Sequence, residues 1–308
     1  TTCLLIVLMS LNFPLIWPIL RFLSGFTTAI VFVLTSTWCL NQLSVLNAQN
    51  LGGIVYAGPG MGILISGITS SVLVQYKLNS QFNWVILGLL SLVITFLILP
   101  LFKTKESFPF SKKNELNIYS KLNSNFIVFI HTIAYGLAGF GYIITATFLP
   151  VFARISINNS IWADLFWPIF GVGATLGALI SSKIPEKYDQ KYVLAFCYLI
   201  QAFGIFFSNN NQTVMGYSIG SFLIGLPFTV ITFYAMRFGR ELNPKFSTSI
   251  IGILTTSFGI CQILGPITTA YLVNNYESKV IAFEKSLNLA ILSLVLGASL
   301  YIILAQKK

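Results

Sequence analysis

Apolar residues run along this chain in long unbroken blocks, separated by short polar breaks. Three blocks cover about residues 15–46, 53–76 and 82–102, and a polar stretch from Lys103 to about Asn125 follows. Six more lie at about 126–152, 161–182, 192–208, 214–236, 248–273 and 286–305. Each is close to or beyond the ~20 apolar residues that a helix needs to cross a bilayer's hydrocarbon. A membrane barrel would instead show ~10-residue segments of alternating polarity. Backbone polar groups in hydrocarbon must be satisfied within the protein, so the pattern predicts helices. The expected fold is an all-α polytopic membrane protein with about nine full spans, plus a partial one.

The partial span is residues 1–11, apolar but too short to cross, and Asn12, Phe13 and Pro14 then form a helix-breaking turn. Residue 1 is Thr, and no secretory signal pattern precedes the first full span. The chain therefore reads as a fragment with its beginning removed. Six spans follow the polar stretch; if the two halves are equivalent, six should precede it, and a twelve-helix parent is the economical expectation. The predicted organisation is an incomplete N-terminal bundle over 1–102, a basic linker over 103–125 and a six-helix bundle over 126–308.

Composition strengthens this picture. Only 8% of the residues are charged and 56% are hydrophobic, whereas soluble domains carry about 25% charged residues. A mean hydropathy of +0.82 over such a length excludes a soluble domain on a single anchor. The net charge of +10 has a topological explanation, because basic residues concentrate in cytoplasmic loops. With the linker inside, its five lysines join Lys183, Lys187, Lys191, Arg237, Arg240, Lys245, Lys307 and Lys308 on that side. The opposite loops hold only Lys77, Arg154, Lys279 and Lys285. The expectation is a multi-pass, monomeric protein of a plasma membrane, the bacterial inner membrane, with central loop and C-terminus cytoplasmic. Its partners are the lipid bilayer and a small-molecule substrate, with no nucleic acid.

Candidate chemistry is sparse. Cys3, Cys39, Cys197 and Cys261 stand singly in apolar runs and His131 is the one histidine, so no metal site and no cofactor are expected. His131 reads either as a packed residue near a helix end or as a lone functional histidine.

The halves also resemble each other. Arg21-Phe-Leu-Ser-Gly25 parallels Ser221-Phe-Leu-Ile-Gly225, and each is followed in a later span by a Gly-Pro pair, Gly58-Pro59 and Gly265-Pro266. On these residues the sequence resembles the major facilitator superfamily. Arg21 and Gly25 are similar to its fourth-helix Arg-x-x-x-Gly motif. Tyr56-Ala-Gly-Pro-Gly-Met-Gly62 loosely resembles its Gly-Pro-rich fifth-helix motif. The run Leu137-Ala-Gly-Phe-Gly-Tyr-Ile-Ile-Thr-Ala-Thr-Phe-Leu-Pro150 looks like the seventh-helix signature of the YbfB/YjiJ-type branch, and Gly259-Ile-Cys-Gln-Ile-Leu-Gly-Pro266 extends the likeness. The resemblance implies a two-bundle, twelve-helix carrier, proton-linked or facilitated, of unknown substrate.

Several residues stand out as candidates. Arg21, with Gly25 beside it, reads as a cavity-facing charge or as a side chain snorkelling to the interface. Gly58, Pro59, Gly60, Gly62, Gly265 and Pro266 are expected to interrupt helices mid-span and to allow close, movable packing. Tyr135, Ala138, Tyr142, Thr145 and Leu149 recur at helical spacing, so two tyrosines and a threonine share one face. That face is expected to line a substrate cavity, with ordinary helix packing as the competing reading. Gln262 is a further cavity candidate. Asp164 is the acid reaching furthest into an apolar run, and reads as a coupling residue or as a charge at a helix N-terminus. A membrane-embedded transferase is disfavoured for want of an acidic cluster. A truncated, non-transporting remnant is the alternative to a secondary carrier of a small solute.

Overall fold

The computed structural model describes residues 1–100, 121–157 and 164–306. Among them the regular structure is helical: α1 (Thr2–Leu8), α2 (Trp17–Val45), α3 (Gly52–Val55), α4 (Ala57–Gln75), α5 (Ser80–Ile98), α6 (Lys121–Ser156), α7 (Phe166–Ser181), α8 (Gln190–Asn210), α9 (Val214–Leu242), α10 (Ser247–Asn275) and α11 (Lys279–Gln306). Helices α3 and α4 join into one apolar stretch, Gly52–Gln75. Among the described residues, eight helices are thus long and apolar enough to cross a membrane, and α7 is a shorter apolar helix. These nine coincide with the nine apolar blocks of the sequence. Most of the predicted linker lies outside the described residues, and α6 begins at Lys121.

The half-span predicted for residues 1–11 is α1, and turns through Pro14 separate it from α2. It belongs to a unit formed by residues 1–35 and 68–118. There α1 packs on α5 so closely that a Cβ on Gly88 would collide with Val7. Thr2 donates to Thr27 at 2.9 Å, tying α1 to α2. Asn83 donates to Ser70 at 3.1 Å, tying α5 to α4. Only 6% of the most apolar stretch of α5 is buried, as suits a helix whose sides face lipid.

The second unit comprises residues 36–67 and 119–308. Its centre is α9, 72% buried over its most apolar stretch, with α7 and α8 packed against it and α6, α10 and α11 completing the bundle. Three of its helices carry an internal proline, Pro150 in α6, Pro227 in α9 and Pro266 in α10. Each removes one N–H from the helical ladder, which a membrane helix tolerates where neighbours re-satisfy the freed carbonyl.

The other proline on which the sequence placed a mid-helix break behaves differently. The chain bends at Tyr56, between α3 and α4, so Pro59 occupies the first turn of α4. There the missing N–H leaves no hydrogen bond unmade within that helix.

Candidate functional site

The predicted face of α6 lies in the second unit, and its five residues are all buried. Tyr135 stacks on Phe258 of α10, with ring centres 4.8 Å apart. Tyr142 lies 6.3 Å from the same Phe258 ring, 4.5 Å from Phe228 of α9 and 5.8 Å from Phe170 of α7. Phe170 in turn stacks on Trp167 at 5.2 Å with the ring planes 8° apart. Four helices thus contribute to one ladder of rings. Along Tyr135, Phe258, Tyr142, Phe170 and Trp167 the successive rings lie 29°, 24°, 37° and 8° from parallel, while Phe228, beside Tyr142, meets Phe170 at 57°.

Thr145, one turn beyond Tyr142, donates to the Gly141 carbonyl of its own helix at 3.2 Å. It also lines a small cavity with Ala146, Pro150, Trp167, Phe170 and Ser221. The cavity measures about 10 Å³, close to the least that holds one water. Ser221, 2% exposed, has a hydroxyl with no hydrogen-bond partner among the described residues. Pro150 adds a second polar opportunity, because the Ala146 carbonyl one turn back has no N–H at that position to accept. Gln262 is half-buried on α10, one turn beyond Phe258.

The remaining candidates are dispersed. Arg21 is exposed in the first unit, its guanidinium 5.6 Å from the centre of the Trp84 ring, a cation–π contact. A Cβ on Gly25, Gly58 or Gly62 would meet open space. Gly265, by contrast, packs against α6, where a Cβ would lie 2.5 Å from the Ile143 side chain. Asp164, just ahead of α7, pairs with Arg154 near the end of α6.

Gly60 belongs to a seam. A Cβ there would lie 2.6 Å from the Thr175 nitrogen of α7. Towards the α3 end of the seam, Gly53 abuts Ala178 and Ser181, and towards the other end a Cβ on Gly67 would lie 3.0 Å from the Pro168 ring. Gly171 of α7 returns the contact, its Cβ position 2.5 Å from the Leu64 nitrogen. Glycines seven residues apart, two helical turns, keep one face of this span free of side chains, so the two backbones nearly touch.

At the α3 end of the seam stands a cluster of charge that the sequence groups only with its basic loops. Arg237, 8% exposed near the end of α9, donates from Nε to Glu241 at 3.0 Å. Its Nη2 donates to Glu186 at 3.4 Å and to Gln49 at 3.5 Å. Gln190 donates to the second oxygen of Glu241 at 2.6 Å. One guanidinium therefore joins the α2–α3 connection, the α7–α8 connection and α9.

The histidine is also more deeply held than a helix-end position implies. His131 is fully buried, its Nε2 3.0 Å from the Ala235 carbonyl and its Nδ1 2.9 Å from the Tyr301 hydroxyl. A carbonyl only accepts, so Nε2 carries the proton and Nδ1 accepts from Tyr301. Beside it Tyr198 donates to the Ala134 carbonyl at 2.8 Å. These bonds tie α6 to α8, α9 and α11.

Eight described helices long and apolar enough to cross a membrane are those of a multi-pass membrane protein. Residues 1–302 match the family described as uncharacterised MFS-type transporter YbfB. The chain belongs to that family, a branch of the major facilitator superfamily, and is a transmembrane transporter. Comparison with curated proteins finds no match.

Proposed function

We propose that the protein is a secondary, proton-linked carrier that moves a small solute by alternating access, its halves being residues 1–102 and 126–308 on either side of a basic cytoplasmic linker. The observation that carries this reading is the α4–α7 seam, because α4 belongs to the first half and α7 to the second. Steric contact between small residues separates without breaking a large set of directional bonds, which is the property a rocking interface requires.

Arg237 supplies the latch in this scheme. By the basic-loop asymmetry, its end of α9 is cytoplasmic. Its bonds to Gln49 on the first half and to Glu186 and Glu241 on the second hold that side closed. Opening inward exchanges the Gln49 contact for water while the two carboxylates stay with the guanidinium. The protein acts as a monomer in a plasma membrane, of the bacterial inner-membrane type.

Uptake into proteoliposomes under an imposed pH gradient tests the reading. A panel of small solutes is expected to include at least one whose saturable uptake collapses when a protonophore dissipates the gradient. Uptake identical to that of protein-free vesicles across the panel would reject it.

A further inference from the structure

The ring ladder and the Ser221 cavity adjoin one another, since Trp167 and Phe170 belong to both. Resting on the carrier reading above, we propose that together they form the solute site, and that the solute is an uncharged, flat aromatic molecule with one hydrogen-bonding group. Its ring extends the ladder at Trp167, and its polar group enters the cavity to meet Ser221.

Ring orientation is the first ground. Elsewhere in the same bundle, several buried aromatic pairs meet edge to face, at 84° for Phe152 and Tyr217, 75° for Tyr198 and Tyr301, and 61° for Phe233 and Tyr234. The ladder mixes tilted with stacked contacts, but its last pair, Phe170 and Trp167, is stacked at 8°, the offset-parallel geometry that a further flat ring can also adopt. Trp167 forms that end and is half-buried, as is Phe228 beside Tyr142.

The cavity gives the second ground. Its volume admits a hydroxyl-sized group and no ring, so it selects the polar end of a solute whose ring lies outside it. Ser221 is buried with an unused hydroxyl, and Ser221 is the second-half counterpart of Arg21 in the internal repeat.

Charge decides the class. Among the described residues, none of those forming the ladder or lining the cavity is charged. A carboxylate or phosphate entering here would shed water without gaining a counter-charge. An organic cation would gain ring faces but no carboxylate. The neutral ring loses least on leaving water and gains the same stacking.

Three probes of one size separate these cases: 2-naphthol, 2-naphthoate and N-methylquinolinium, each titrated against the purified protein in nanodiscs with empty nanodiscs subtracted. The expected result is saturable binding of 2-naphthol, with both ions weaker by about tenfold or more, the ratio that ~1.4 kcal/mol produces. Trp167→Ala should weaken 2-naphthol several-fold while Trp167→Phe, which keeps a stacking ring and controls for folding, retains it. Ser221→Ala should abolish the preference for 2-naphthol over naphthalene and leave naphthalene binding unchanged. Tighter binding of either ion, or 2-naphthol binding indifferent to Trp167→Ala, would overturn the proposal. Saturable binding without 2-naphthol uptake into proteoliposomes would count against the carrier reading and leave the site standing. Uptake of other solutes with no 2-naphthol binding would sink the site alone.

Discussion

The α4–α7 seam and the His131 cluster are both buried helix contacts within one unit, yet they are built from opposite materials. At the seam, Gly53, Gly60, Gly67 and Gly171 bring backbone against backbone, with steric contact as the main theme. Around His131 the helices are stapled by directional bonds: His131 to Ala235, Tyr301 to His131 and Tyr198 to Ala134. Further staples of the same kind run from Gln201 to the Ile224 carbonyl, from Ser257 to the Thr132 carbonyl and from Thr229 to the Ala174 carbonyl. Breaking such a bond away from water leaves a polar group unsatisfied, at about 1–3 kcal/mol each. Parting a small-residue seam leaves apolar surface that lipid or a neighbouring helix covers. The difference is one of material: directional bonds staple the helices around His131, and close steric fit joins those at the seam.

Replacing His131 with Leu gives the largest expected effect. It takes the acceptor away from the Tyr301 hydroxyl and the extra donor away from the Ala235 carbonyl in the bundle centre, so stability should fall by about 1–3 kcal/mol. Thermal unfolding of the purified protein in detergent measures this; a shift of under about a degree would show that the cluster is not the staple described. Gly60→Leu comes next. Its Cβ would crowd Thr175, at about 1–3 kcal/mol for overpacking, and should wedge the seam and depress transport. Gly58→Leu, directed into open space, should change stability by less than about 0.5 kcal/mol. Equal effects of the two substitutions would remove the distinction between a seam glycine and a neighbouring one.

Much of this fold is legible in the sequence because lipid imposes a single strong rule. A run of about 20 apolar residues can satisfy its own backbone only as a helix, and the nine blocks are nine apolar helices or joined helical stretches. The ends are less legible. Helix α11 starts at Lys279 rather than near residue 286, since Glu284 and Lys285, in its second turn, interrupt the hydropathy but not the helix. Pro59 reads as a mid-span break, whereas the bend falls earlier, at Tyr56.

Of the site, the local spacing is readable and the partners are not. Tyr135, Tyr142 and Thr145 share a face because seven and three residues are near-whole turns. Phe258, Phe228 and Trp167 reach them from three other helices, and Tyr301 reaches His131 from 170 positions along the chain. One sequence carries no signal of such pairings. Arg237 reads as a topology marker because basic residues such as Arg237, Arg240 and Lys245 near a span end are ordinary. Its acid four residues later, Glu241, is the available hint of a paired charge.

The seam's role is tested most directly by the distance between spin labels at Leu51 and Lys183, both exposed at the α3 end of the seam. Double electron–electron resonance on the protein in nanodiscs should show two distance populations, with the longer one gaining weight in Arg237→Gln, where the latch to Gln49 is weakened. A single short population, unchanged by that substitution, would contradict alternating access through this seam.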